Sequence, residues 1–237
     1  MSKAKSGIFY QGVSEIDGSP IVGVMVVSSK NGKTGNMIQT YIIRSDMSPL
    51  DANRTGADYA ICGNCPHRGI ANPAKASGLA DKRTCYVNLG QGALQVWKRF
   101  SKGGYPVLSQ EQIQANVRGR MVRIGTYGDG FAVPETVWAN IRAHAMGVTA
   151  YTHQPDNSFA YYMKSADSLQ EAQKQWSNGF RTFRIVADYS EKQVNEVVCP
   201  SSRGVTCNDC GLCDGSKQAK SIVIEVHGVG KKHFQGV

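Results

Sequence analysis

The stretch from residue 121 to residue 153, MVRIGTYGDGFAVPETVWANIRAHAMGVTAYTH, predicts a strand–helix–strand unit. Residues 121–126 form an apolar segment typical of a buried strand. Pro134 suits the first position of a helix, and Gly147 suits the end of that helix. Residues 148–152 then form the next strand. A helix between two strands favours a right-handed crossover and a parallel sheet.

The same alternation continues on both sides of this unit. Towards the N-terminus, apolar spacing predicts a helix at residues 91–100, and a capping box that begins at Ser109 opens another. Towards the C-terminus we expect a strand at 159–165, a helix at 167–176, and strands at 181–187 and 221–226. These units are too few for a complete eight-stranded barrel. We therefore expect a partial or reduced TIM-like barrel, with an open α/β sheet as the alternative.

The N-terminal part of the chain has a different character. Apolar strands at residues 21–28 and 37–44 flank the turn signal Asn31-Gly32, which predicts a hairpin. We expect a single α/β domain over residues 1–237. Its parts are the N-terminal strands (1–45), an irregular segment with cysteines (46–90), the βα units (91–198), and a metal-binding loop with the last strand (199–237).

Seven cysteines lie in two clusters. Pairs separated by two residues can turn towards one ion, so four thiolates can hold zinc or an iron–sulfur cluster. We expect zinc, with an iron–sulfur cluster as the alternative, and a disulfide framework is a third possibility. The predicted ligands of the first metal are Cys199, Cys207, Cys210 and Cys213, with His227 as an alternate. The predicted ligands of a second metal are Cys62, Cys65, His67 and Cys85.

The composition indicates a basic protein without a membrane segment. The formal net charge is +9, which favours a polyanionic partner such as nucleic acid, although a basic surface can also serve solubility alone. No stretch approaches the roughly 18 consecutive apolar residues of a membrane helix. The first residues contain no apolar signal core, so we expect a cytoplasmic protein with reduced thiols.

Polar residues follow several predicted strands, where parallel α/β folds bind their ligands. Asp129, Asp167 and Asp188 each follow a strand, and His153 closes another. A carboxylate can act as a nucleophile, acid or base, and a histidine can transfer protons. Asp167 can instead cap a helix and Asp188 can begin a turn, whereas Asp129 has no helix that it would cap directly.

Three segments together resemble a group of small cysteine-rich bacteriophage proteins. The first is Cys62-Gly-Asn-Cys65-Pro-His67 with Thr84-Cys85-Tyr86. The second is Gly128-Asp129-Gly through Tyr151-Thr-His153-Gln154, and the third is Met163-Lys-Ser-Ala-Asp167-Ser with the final cysteine cluster. The resemblance covers most of the chain from about residue 37 onward.

A more distant resemblance is to guanine transglycosylases, including the phage enzymes that insert 7-deazaguanines into DNA. It implies a barrel, catalytic aspartates at strand ends, and a zinc site matched here by Cys207, Cys210, Cys213 and His227. The implied function is exchange of guanine for a 7-deazaguanine base in phage DNA, in the host cytoplasm, with DNA preferred over RNA. The implied nucleophile is Asp167, with Asp129 reading the base or moving protons. The possible substrate-binding residues are Tyr127, His153, Gln154 and Asp188.

Two other functions remain open at this point. Seven cysteines can support an iron–sulfur protein with redox or radical chemistry. The chain can also be a non-catalytic nucleic-acid-binding phage protein whose loops are held together by bound metal. Bound metal separates these functions, because an iron–sulfur protein is coloured and a zinc protein is not.

Overall fold

The computed structural model describes residues 4–29, 31–155, 159–227, 231 and 234. Its strands are β1 (Gly7–Val13), β2 (Pro20–Val26), β3 (Ile38–Arg44), β4 (Met121–Tyr127), β5 (Gly147–Thr149), β6 (Tyr151–Thr152), β7 (Met163–Ala166), β8 (Thr182–Val186), β9 (Glu196–Val198) and β10 (Ser221–Glu225). Its α-helices are α1 (Pro49–Thr55), α2 (Tyr59–Cys62), α3 (Leu94–Ser101), α4 (Gln110–Val117), α5 (Glu135–His144), α6 (Leu169–Ser177) and α7 (Cys207–Cys210).

The strands form two five-stranded sheets. The first has the order β1-β2-β3-β4-β5 and the second the order β6-β7-β8-β10-β9. β1, β2 and β3 pair antiparallel, whereas β3, β4 and β5 pair parallel. All pairs in the second sheet are parallel. The predicted α/β class with parallel strands and helices is therefore confirmed, although the first sheet is mixed rather than parallel throughout.

The two sheets meet at Ala150, which separates β5 from β6. The Ala150 N–H donates to the Cys213 carbonyl at 3.2 Å, while the Ala150 carbonyl accepts from Met163 at 2.9 Å. The strand predicted at 148–152 is therefore divided between two sheets. Within the described residues the strands do not close into a barrel, because β1 and β9 remain at the outer edges. Segment 106–108 covers the β1 edge through backbone hydrogen bonds with Ile8.

Most of the predicted elements are present at nearly their predicted positions. The hairpin of β2 and β3 is confirmed, and so is the capping box of α4, where Ser109 and Gln112 bond reciprocally. α5 begins at Glu135, so Pro134 is its N-cap residue and not its first helical residue as predicted. β7 begins at Met163, four residues later than the predicted strand at 159–165. β1 and β9 were not predicted.

The main apolar core packs around the first sheet and extends to α5. Trp138 is fully buried there, and its indole N–H donates to the Gly130 carbonyl at 2.8 Å. A smaller cluster under the second sheet contains only Met163, Cys199, Cys213 and Ile222 as buried members. Two of these four side chains are cysteines, so this half of the fold depends on residues that can also bind metal.

Among the described residues, no helix combines the length and apolar character needed to cross a bilayer.

Candidate functional site

One cavity of about 760 Å³ lies along one face of the parallel strands and reaches their carboxyl ends. Tyr127, His153 and Asp167 reach it from the ends of β4, β6 and β7. All seven cysteines of the chain also line it. The fold therefore brings two clusters that are far apart in sequence to a common space.

The four-cysteine loop consists of Cys199, Cys207, Cys210 and Cys213. Cys199 follows β9 directly, and α7 carries the next two cysteines. Thr206 caps α7 by accepting from the Asp209 N–H, and Gly211 ends the helix at φ 57°, which turns the chain back towards Cys213. Left-handed backbone of this kind favours glycine. The local sequence thus folds a short loop that returns each sulfur to the cavity.

Backbone hydrogen bonds attach the four-cysteine loop to the rest of the molecule. The Cys207 N–H donates to the Lys33 carbonyl at 2.9 Å, and the Asn208 N–H donates to the Thr34 carbonyl at 3.2 Å. Burial raises the pKa of the Cys213 thiol to about 12, and the neighbouring Cys199, Cys207 and Cys210 act in the same direction. Without a cation the Cys213 thiol stays protonated, whereas metal ligation requires a thiolate.

The three-cysteine group consists of Cys62, Cys65 and Cys85. Cys62 ends α2, Cys65 precedes a short 3₁₀ turn, and the Cys85 N–H donates to the His67 carbonyl at 3.0 Å. Burial raises the pKa of Cys62, and Asp58, Cys65 and Cys85 raise it further. The structure thus brings together the three cysteines of the predicted second metal site.

An ion pair holds the segment that carries this group. The Arg68 guanidinium donates to Asp58 Oδ1 at 2.6 Å and to the Gly56 and Gly63 carbonyls at 2.7 and 3.1 Å. The Asp58 side chain is 4% exposed, so this pair is screened from solvent. The segment therefore has a protein anchor that is independent of any metal.

The two ring nitrogens of His67 are paired with Thr84 and Asp167. Its Nε2 lies 2.8 Å from Asp167 Oδ1, and its Nδ1 lies 2.7 Å from Thr84 Oγ1. His153 approaches the same carboxylate from the other side, with Nε2 3.1 Å from Asp167 Oδ2. The Cys65 thiol is also a hydrogen-bond partner of His153.

The charge of the Asp167 carboxylate is favoured by these two histidines. Burial opposes ionisation, but the hydrogen bonds from His153 and His67 hold the pKa of Asp167 well below its usual range. Asp167 is not the cap of α6, because Ser168 occupies the N-cap and accepts from the Glu171 N–H. The alternative that Asp167 serves as a helix cap is therefore wrong, and its carboxylate is left facing the cavity.

The Asp129 carboxylate accepts hydrogen bonds from nearby backbone and side-chain groups. One oxygen accepts from the Phe131 N–H at 3.0 Å. The other accepts from the Thr152 hydroxyl, the His153 N–H and the Gln154 amide at 2.7, 3.3 and 3.4 Å. Burial nevertheless raises the pKa of Asp129. Asp129 also caps the 3₁₀ turn Gly130–Ala132, so the expectation that it has nothing to cap is wrong.

Of the remaining predicted site residues, Tyr127 and His227 line the cavity, whereas Gln154 and Asp188 do not. Tyr127 lines it, is buried, and its hydroxyl has no hydrogen-bond partner among the described residues. Gln154 bonds the Cys62 carbonyl at 3.2 Å behind the cavity wall. His227 lines the cavity, with Nδ1 2.9 Å from the Glu225 carbonyl. Asp188 is exposed and begins a turn, as the alternative for it predicted.

The spacing of the ligand atoms distinguishes the cysteines from the histidine–aspartate set. Among the described residues, His67, His153 and Asp167 are the one set of three or more whose ligand atoms all lie within 4.8 Å of one another. No three sulfurs reach that spacing in this part of the chain. Four sulfurs around zinc at about 2.3 Å would lie roughly 3.8 Å apart. An iron–sulfur cluster holds its sulfurs farther apart, because each ligates a different iron.

The sequence did not predict that His67, His153 and Asp167 share one site. His153 and Asp167 both follow strands that pair parallel in the second sheet, and that placement was predicted. His67 comes from segment 46–90, which was predicted to be irregular but contains α1 and α2. The proximity of His67 to Cys65 in sequence suggested a ligand of the cysteine site. Only the folded path of that segment brings it to Asp167.

Comparisons of the chain with protein-family models, with curated proteins and with solved structures give no match.

Proposed function

We propose that this protein is an iron–sulfur redox protein that acts on a small molecule in its cavity. The observation that carries the proposal is that all seven cysteines line one cavity along the parallel strands. The four-cysteine loop would hold one cluster and the three-cysteine group would hold a second. When bound, such groups supply one-electron transfer.

The spacing of the sulfurs favours clusters over single zinc ions. The four cysteines of the loop influence one another electrostatically, yet no three described sulfurs lie all within 4.8 Å. A cubane holds its cysteine sulfurs apart, since its four irons are each bound by a different sulfur, whereas one zinc ion draws four sulfurs to roughly 3.8 Å from one another. Zinc remains the alternative, and it requires the sulfurs to move together.

The number of ligands assigns different roles to the two groups. Four thiolates complete the ligand set of a cluster and leave it closed. Three thiolates leave one position open to a ligand or substrate, as open positions do in other catalytic metal sites. The three-cysteine group would therefore hold the reactive cluster, and the cluster held by the four-cysteine loop would supply one-electron transfer and stabilise the fold.

The cavity wall contributes residues suited to binding a small molecule. A volume of about 760 Å³ is within the range of small-molecule sites. Tyr127 contributes a buried side chain to this wall. Arg83 and Arg123 also line the cavity, and their charges favour an anionic substrate.

Base exchange on DNA stays a prediction. It is favoured by the ionised Asp167 carboxylate in the cavity wall. It is less well supported than redox chemistry, because the oxygens of Asp129 already accept four hydrogen bonds from the protein. The nucleic-acid partner is tested by the dependence of binding on salt. Contacts with about five phosphates give a log–log slope near −4 to −5, and a flat response would remove DNA and RNA as partners.

Metal and sulfide analysis of anaerobically purified protein tests the proposed function. We expect iron and acid-labile sulfide in similar amounts, with absorbance at roughly 400 nm that dithionite bleaches. The variant C207S/C210S should lose a large part of the iron, and S177A, at an exposed serine outside the cavity, should keep all of it. Zinc in full occupancy without sulfide would contradict the proposal.

A further inference from the structure

The set His67, His153 and Asp167 has the chemistry of a metal site separate from the cysteines. Each histidine directs Nε2 at a different oxygen of the same carboxylate, at 2.8 and 3.1 Å. The three side chains come from three parts of the chain: a 3₁₀ turn, the end of β6 and the end of β7. We propose that they bind one divalent first-row transition-metal ion.

The ligand types match such an ion better than they match other cations. Two imidazoles and one carboxylate that leave other positions open are the donor set of non-haem Fe²⁺ sites, and Mn²⁺ and Zn²⁺ accept similar donors. Calcium and magnesium prefer oxygen ligands throughout. The side chains of His67, His153 and Asp167 are 12%, 17% and 6% exposed, and all three line the cavity.

Thr84 is placed to orient one of the ligands. Its hydroxyl lies 2.7 Å from His67 Nδ1, on the side of the ring opposite Asp167. A hydroxyl can donate or accept, so it serves both tautomers of the histidine. With a metal at Nε2, the Nδ1–H of His67 donates to Thr84, which is the outer contact that metal-bound histidines usually make. Thr84 is therefore a positioning residue of this site.

The position of the ion gives it a role in substrate binding. His153 is a hydrogen-bond partner of Cys65, so the ion would lie beside the three-cysteine group. Three protein ligands leave coordination positions that face the cavity. An oxygen or nitrogen donor of a small substrate can occupy one of them and be held next to the cysteine-bound group. The site itself does not depend on which metal the cysteines bind.

Binding of Mn²⁺, followed by electron paramagnetic resonance, tests the site in the full chain. Mn²⁺ suits carboxylate ligands and is a poor match for thiolates, so it discriminates against the cysteines. The anaerobically purified protein should bind one Mn²⁺, and the bound ion should show coupling to two imidazole nitrogens. Absence of binding, or coupling to no nitrogen, would overturn the proposal.

Single substitutions test which residues the Mn²⁺ site requires. D167N should abolish Mn²⁺ binding, and T84V should weaken it by about 10–100-fold, as loss of an outer-shell partner does. D188N is the matched control, because Asp188 follows the neighbouring strand β8 but is exposed and does not line the cavity. Equal binding by D167N and D188N would overturn the proposal.

The outcome is distinguishable from that of the proposed function. Iron and sulfide are measured on the same samples, and D167N should leave both unchanged because it alters no cysteine. Mn²⁺ binding in a protein without iron or sulfide would count against the iron–sulfur clusters alone. Clusters without Mn²⁺ binding would count against the histidine–aspartate site alone.

Discussion

The four-cysteine loop and the three-cysteine group line the same cavity but are held in place by different means. The loop contributes Cys199 and Cys213 to a small cluster whose other buried members, among the residues that the structure describes, are Met163 and Ile222. The three-cysteine group lies next to the main core and is braced by the Arg68–Asp58 ion pair. A metal at the loop would therefore support the fold, whereas a metal at the group can change its ligands without loss of the fold.

Removal of metal ligands should give the largest difference in stability between the two cysteine clusters. C207S/C210S should lose both its metal and the stability of the second sheet, because the binding energy of a structural metal, on the order of 10 kcal/mol, is also folding energy. C65S/C85S should lose only the metal of the three-cysteine group. Thermal unfolding and metal content of the two variants check this, and equal destabilisation would break the comparison.

A change in the buried ion pair of β9, the strand that leads into the four-cysteine loop, should have the next largest effect on stability. Arg184 and Glu196 join β8 to β9 at 2.7 and 2.8 Å, with side chains 3% and 0% exposed. Removal of one partner of a buried pair leaves an uncompensated charge and costs about 3–5 kcal/mol. Because β9 positions Cys199, E196Q should lower both the free energy of unfolding and the metal content of the loop. Urea denaturation of E196Q against E111Q, at an exposed helix position, measures this effect.

The two aspartates of the cavity should respond differently to the same change. D129N should cost about 1–3 kcal/mol, since the new amide group cannot accept from every donor that Asp129 satisfies. D167N should cost less, because its two partners are histidines at the cavity wall that can reorient. Chemical denaturation compares the two variants. A larger loss for D167N would indicate that Asp167 is mainly a structural residue.

Alanine substitutions at two glycines, one beside each cysteine cluster, should have the smallest effects on stability. Gly211 ends α7 in the left-handed region, so G211A should cost about 1 kcal/mol. Gly63 has φ 53° and ψ −131°, and a Cβ there would lie 2.4 Å from the Gln154 side chain. G63A should therefore cost more than G211A, although both lie beside cysteines. Thermal unfolding of the two variants decides the order.

The sequence predicted the fold better than the site. Apolar periodicity and capping signals placed β2 to β4, α4 and α6 closely, because those elements carry their own start and stop residues. β9 was missed because three residues are too short for a pattern, and β1 because its apolar run at 8–10 is followed at once by Gln11 and Gly12. The pairing of His67 with Asp167 depends on the path of segment 46–90, where the short helices α1 and α2 were not predicted. Cysteine spacing predicted both clusters but did not predict that they share one cavity.

Anomalous X-ray scattering at the iron edge, from crystals grown without oxygen, tests the central claim most directly. The account predicts iron at two places in the cavity, one bonded to Cys199, Cys207, Cys210 and Cys213 and one bonded to Cys62, Cys65 and Cys85. Scattering at the zinc edge alone, or iron at neither cysteine cluster, would contradict it.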